Sequence, residues 1–161
     1  MLTIFVDADG CPVKEEVYRV AKRYGLKVVL VANARMRIPS EDSIEQVVVK
    51  GRYDAADDWI VEHVAEDDIV VSGDIPLASR CLKKGASVIG PKGRVFTEDS
   101  IGTALADRAL LAYLRESETM TASPAPFVKK DRSRFLTRLN EVIQAILKKP
   151  QVPILSSKIP G

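Results

Sequence analysis

Residues 2–13 read LTIFVDADGCPV, and this stretch decides the fold. Leu2–Val6 is a short apolar run rich in β-branched side chains, the composition of a strand buried on both faces. It stops at Asp7, Asp9 and Gly10, a loop, and Pro12 then suits the first turn of a helix, where no amide hydrogen is needed. Val13, Val17, Val20, Ala21 and Tyr24 recur at helical spacing until Gly25 ends the pattern. A buried strand delivering into a helix is the first half of a βαβ unit, and two carboxylates stand at its turn.

Working outward, Leu26–Ala32, Ile44–Val49, Ile69–Ser72 and Ser87–Ile89 read as further strands, with helical segments over about 55–65 and 75–84. The spacing predicts a long helix over 97–115 and an extended loop over 117–130. Asp131 is expected to cap an amphipathic helix running to about Leu147, whose stripe Phe135, Leu136, Leu139, Val142, Ile143 and Ile146 must be buried. Alternating strands and helices imply a parallel sheet covered on both faces, because each crossover returns across a face. The expectation is one three-layer α/β domain over residues 1–148, with a mostly parallel sheet of about five strands and a C-terminal helix. A flexible tail, 149–161, is expected to follow. Strand one should lie centrally beside Ile69–Ser72, with any ligand site beyond their carboxyl ends.

At 161 residues the chain supports one well-buried core. Its net charge of +2 is too small to imply nucleic acid by itself, so such a case must rest on local clusters. Cys11 and Cys81 are too few for a disulfide scaffold and belong to no CxxC pair. The N-terminus lacks a basic segment before its apolar run, and no stretch approaches a membrane span. A cytoplasmic protein without membrane association is the expectation.

The carboxylates carry the chemistry. Asp7 and Asp9 follow strand one, and Asp74 follows IVVSG (69–73), so three acids emerge on one rim of the sheet. Asp54, Asp57 and Asp58 open the intervening helix, where carboxylates also suit the helix dipole; Asp57 or Asp58 is the better placed to lean toward the rim. Oxygen-rich sites of this kind suit Mg²⁺ or Mn²⁺. Asp residues also stand after strands as plain turn formers, and it is the joint pattern that favours a metal at Asp7, Asp57, Asp58 and Asp74. Cys11 and His63 read as structural. Arg35, Lys92, Arg94, Arg132 and Arg134 are candidates for holding phosphates, although any one basic cluster can equally be solvated surface.

Five motifs, DADGCPV (7–13), KGRYDAADDWI (50–60), GDIPLASRCLKKGA (73–86), GPKGRVFT (90–97) and PFVKKDRSRFL (126–136), resemble the YaiI/YqxD family of uncharacterised bacterial proteins, in order across nearly the whole chain. Gly10 stands where that family more often has Ala. The family looks like a branch of the PIN-like superfamily, whose members bind Mg²⁺ or Mn²⁺ on strand-end aspartates and cut RNA or DNA. The resemblance implies a PIN-like sheet and metal-site roles for Asp7, for Asp57 or Asp58, and for Asp74, with Asp9 a fourth.

The leading functional expectation is therefore a metal-dependent nuclease, with RNA the expected partner before DNA and Asp7, Asp9 and Asp74 as its catalytic acids. A strand followed by Asp-x-Asp-Gly also resembles the start of haloacid-dehalogenase phosphatases, with Asp7 as nucleophile. That class needs a later acidic strand end after a Ser or Thr motif, whereas here Ser72 and Asp74 share one strand. A third alternative is a non-catalytic RNA-binding protein that retains the acidic site.

Overall fold

Successive side chains of a strand point to opposite faces, and in the first strand, β1 (Thr3–Asp7), both faces are buried. Ile4 and Val6 enter one core and Phe5 the other. The computed structural model describes residues 2–51, 54–102 and 126–148. After β1 come α1 (Lys14–Tyr24), β2 (Lys27–Ala32), β3 (Ile44–Val48), α2 (Ala55–His63), β4 (Ile69–Val71), α3 (Ile75–Leu82), β5 (Ser87–Ile89) and β6 (Val95–Phe96). A helix α4 is described over residues 98–102, and α5 spans Lys129–Lys148.

The strands form one sheet in the order β3-β2-β1-β4-β5-β6. All neighbours are parallel except β5 and β6. The chain runs outward from β1 through β2 to β3, then returns across the sheet to β4 on the other side of β1. The junction of β1 and β4 is thus the point where the winding reverses, as the sequence predicts. β6 is a sixth strand beyond the expected five. Two residues are too few to show a period, and the Gly-rich GPKG before them reads as loop.

Two cores enclose the sheet. On one face α1 and α5 cover Ile4, Val6, Val28, Leu30, Val71 and Ile89 with Val13, Val17, Phe135, Leu139 and Ile143. On the other, α2 and α3 cover Phe5, Val29, Val31, Val70 and Val88 with Ala56, Ile60, Leu77, Ala78 and Cys81. The protein is therefore a three-layer α/β domain with a mostly parallel sheet. Among the described residues no helix is long and apolar enough to cross a membrane.

Helix ends fall close to the expected positions. Gly25 ends α1 with φ +69°, a left-handed cap that its lack of a Cβ permits, and its N–H reaches the carbonyls of Ala21 and Lys22. α5 starts three residues earlier than expected, so Asp131 is its third residue rather than the residue before it. Its carboxylate reaches back to accept the Val128 N–H at 3.0 Å, which caps the helix from inside. Only residues 98–102 of the helix predicted over 97–115 are described, and of the loop predicted over 117–130 only 126–130; Lys129 and Lys130 there are helical. The tail 149–161 lies outside the described residues.

Phe135 is fully buried between α5 and the sheet. Its truncation leaves a cavity that surrounding side chains fill only in part, so Phe135→Ala is expected to cost about 3–5 kcal/mol in urea unfolding. A loss under about 1 kcal/mol would show that α5 contributes little to the core.

Candidate acidic site at the switch point

The period of the strands builds the site. Asp7 is two residues beyond Phe5 and so points to the α2–α3 face; Ser72 is two beyond Val70 and points the same way. Val6 pairs with Val71 across the parallel β1–β4 ladder, so Asp7 and Ser72 are the next residues along and stand side by side. The Ser72 hydroxyl donates to Asp7 Oδ2 at 2.9 Å. Its oxygen also accepts the Asp74 N–H at 3.0 Å, which turns the chain into α3. Asp74 then caps that helix, with Oδ1 accepting the Leu77 N–H at 2.9 Å. Asp7 Oδ1 and Asp74 Oδ2 lie outside these bonds.

α2 runs antiparallel to the strands and opens on the same rim. Ala56 and Ile60 are buried against the sheet, which carries Asp57 to the edge of the site. Burial is the main reason the Asp57 carboxyl is pushed up to about 6, and the nearby charges of Asp74 and then Asp7 push it further. Arg80 pulls in the opposite direction and Asp58 adds to the rise. Asp7 is also raised, by burial first; the Ser72 hydrogen bond opposes this, and Asp74 and Asp9 reinforce it. Asp57 thus feels the charge of both Asp74 and Asp7, and Asp7 feels that of Asp74.

The remaining acids are placed differently. Asp58 meets Arg80 of α3 at 2.9 Å. Asp9 is exposed, and its Oδ2 accepts the Asn33 N–H at the end of β2, 2.9 Å away. Asp54 occupies the N-cap position of α2. Ser72 is the residue that sequence reasoning passed over as a ligand-shell group. Its signal was present in IVVSGD: a hydroxyl on the residue after a buried strand, one register step from Asp7.

The cations flank this rim unevenly. Arg35 is exposed on the loop after β2, where the Gln46 side chain holds both backbone groups of Met36 at 3.0 and 2.9 Å. Lys92 and Arg94 follow β5 at the carboxyl end, and Pro91 reaches Gly73, where a Cβ would lie 3.6 Å from its ring. Arg94 lies over the Phe96 ring at 5.1 Å. Arg132 turns inward: its guanidinium donates to Glu16 at 2.9 Å and to the Pro12 carbonyl at 3.0 Å, and lies over Phe127 at 4.9 Å. Arg134 pairs with Asp131 at 3.2 Å and is about half exposed. Cys11 is buried and its thiol is raised by that burial, the opposite of an activated nucleophile. His63 stacks on Trp59 with centroids 3.7 Å apart.

The donor set of Asp7, Asp57 and Asp74 is all carboxylate, half-buried and mutually repelling, which suits a hard divalent cation such as Mg²⁺ or Mn²⁺. As the side chains stand, no three His, Cys, Asp or Glu among the described residues are gathered so as to hold a metal ion together. The chemistry fits; three-ligand closure would need the carboxylates to draw inward.

Fold and site together define a doubly wound α/β protein with interacting carboxylates at the switch point. The chain belongs to the uncharacterised YaiI/YqxD family, whose match covers residues 5–145. It is 57% identical over 150 residues to a UPF0178 protein of Rhodospirillum centenum, covering 91% of this chain and 97% of the relative. A UPF0178 protein of Rhodospirillum rubrum is 52% identical over 146 residues, with 90% and 97% covered. One from Brucella ovis is 55% identical over 143 residues, with 88% and 89% covered. No solved structure matches the chain.

The charge cluster has a measurable cost. Asp57 titrates near 6 in the folded chain against an ordinary 3.8, so folding favours its protonated form. The stability this gives is fully present below 3.8 and is lost as pH rises through about 6. Asp57→Asn should remove that dependence. Urea unfolding should show the variant gaining on the native chain through this window and remaining the more stable above it; a difference that does not vary with pH would mean that burial and the neighbouring charges do not raise Asp57.

Proposed function

We propose that the chain is a divalent-metal-dependent phosphodiesterase acting on RNA, with Asp7, Asp57 and Asp74 as the residues that would hold Mg²⁺ or Mn²⁺. The observation that carries this reading is the placement of Asp7, Asp57 and Asp74, all half-buried, at the switch point where α/β sheets take their ligands, with Asp57 near enough to feel the charge of both others. Repelling acids brought together at a rim are relieved by a cation. A bound ion of this kind supplies an activated water and neutralises charge on the scissile phosphate.

The chain's own groups prepare the site. The Ser72 hydroxyl fixes Asp7 through Oδ2, and the Leu77 N–H fixes Asp74 through Oδ1, so each carboxylate is oriented before anything binds. Burial, with Asp74 and Asp7 nearby, holds the Asp57 proton up to about pH 6, so the charge of Asp57 itself develops only above that value. Asp9, at the edge, would position the water or complete the site. Arg35, Lys92, Arg94 and Arg134 would neutralise the nucleic-acid backbone. The preference for RNA, and the nuclease class itself, come from the resemblance to the PIN-like superfamily.

A second reading, a non-catalytic RNA-binding protein, draws on the lack of a ready three-ligand cluster among the described residues. The phosphomonoesterase alternative is less favoured, since the Asp9 carboxylate that would serve as its acid is bonded to the Asn33 N–H.

The test is cleavage of a labelled single-stranded RNA by purified protein with Mn²⁺, beside Asp7→Asn and Asp57→Asn. Cleavage should fall by on the order of 100-fold or more in both variants, and Mn²⁺ should raise the thermal midpoint of the native chain but not of Asp7→Asn. Equal cleavage by Asp7→Asn would assign the activity to a contaminant. RNA binding with no cleavage and no thermal shift would favour the second reading.

A further inference from the structure

The β5–β6 turn and the outer face of α5 enclose an open cleft of about 450 Å³, lined by Lys92, Gly93, Arg94, Val95, Arg134 and Arg138. Four of these six residues are cations and none is an acid. The cleft continues along α5 past Lys130, with Glu141 as the one acid on that stretch's lining. Lys130, Arg134 and Arg138 recur every four residues, so they share one face and are spaced by about 6 Å along the helix axis. That step is comparable with the distance between successive phosphates of a stretched single strand.

The two walls are held together by Gly93. A Cβ there would fall 2.7 Å from Arg134 Cγ and 3.0 Å from the Arg134 backbone carbon, and Gly93 has φ +92°. Only a residue without a side chain lets the turn close on the helix. The arginines have local partners: Arg134 meets Asp131 and Arg138 meets Glu141, both at 3.2 Å and both with the arginine about half exposed. The Arg138–Glu141 pair is exposed on both sides and therefore weak, and Asp131, with its side chain only 12% exposed, still accepts the Val128 N–H when Arg134 turns to a phosphate.

We infer that this cleft is a phosphate-binding track for single-stranded RNA, seating the backbone on Arg134 and Arg138 from α5 and on Lys92 and Arg94 from the turn. It rests on the proposed function for the choice of RNA, and it adds a binding site outside the acidic rim. Pro91, next to Lys92, packs near Gly73 and so links the track to the turn that carries Asp74.

Binding of a fluorescein-labelled oligouridylate is measured in EDTA across a salt series, so that no result depends on metal or cleavage. Arg134→Gln with Arg138→Gln should weaken binding on the order of tenfold at low salt and reduce the salt slope by about 1.4, from ~0.7 per lost phosphate contact. Lys92→Gln with Arg94→Gln should do the same. Gly93→Ala, which keeps every charge, should also weaken binding by wedging the walls apart. Lys22→Gln with Arg23→Gln, exposed on the last turn of α1 at the opposite end of the sheet, is the control for net charge and should leave affinity within about twofold. An equal loss in that control, or unchanged binding in both cleft variants, would overturn the inference. So would tighter association with anionic phospholipid vesicles than with the oligonucleotide. Loss of cleavage in Asp7→Asn with binding in EDTA intact separates the two sites.

Discussion

β1 is hydrogen-bonded along both edges, to β2 on one side and β4 on the other, and its side chains enter two different cores. That double constraint leaves it no freedom of register, because a slip of one residue would exchange Phe5 with Ile4 and Val6 between the faces. Everything at the site inherits this fixity. Asp7 continues the face of Phe5, Ser72 continues the face of Val70, and the ladder that aligns Val6 with Val71 sets the hydroxyl against the carboxylate. The hydrogen bond between them is a consequence of apolar packing several ångströms away.

The arrangement opposes stability locally. Asp7, Asp57 and Asp74 share a half-buried rim, and the rise in Asp57 and Asp7 comes first from that burial and then from neighbouring carboxylate charge. The core is large enough to carry that cost, with both faces of the sheet lined by side chains that exclude water almost completely. Strain of this kind concentrates where ligands bind, and a site that repels itself is poised to accept positive charge.

α5 packs against α1 and β5. Its buried stripe anchors it on the face opposite the acids, while Arg132 ties its first turn to Glu16 and the Pro12 carbonyl, close to the loop after β1. Glu16 is buried, and one of its oxygens has no hydrogen-bond partner, so the pair with Arg132 is the main compensation for its charge. The basic outer face of α5 is thereby held at a fixed angle to the β5–β6 turn. Packing on one side and charge on the other come from the same helical period.

The sequence determined the order of elements, the central place of β1 and the rim on which Asp7, Asp9 and Asp74 emerge, because periods of two and 3.6 residues and their stop signals are local properties of the chain. The buried stripe of α5 was legible for the same reason. Tertiary structure alone set apart the surroundings of Asp57 and Asp58: adjacent residues on a helix differ by about 100° in direction, and only the position of α3 shows that Asp58 meets Arg80 while Asp57 feels the charge of Asp74 and Asp7. It also decided that Arg132 turns inward to Glu16 and that Ser72 holds Asp7. These contacts join residues 116 and 65 positions apart, and no local pattern encodes which side chains the folding of distant segments will bring within hydrogen-bond reach.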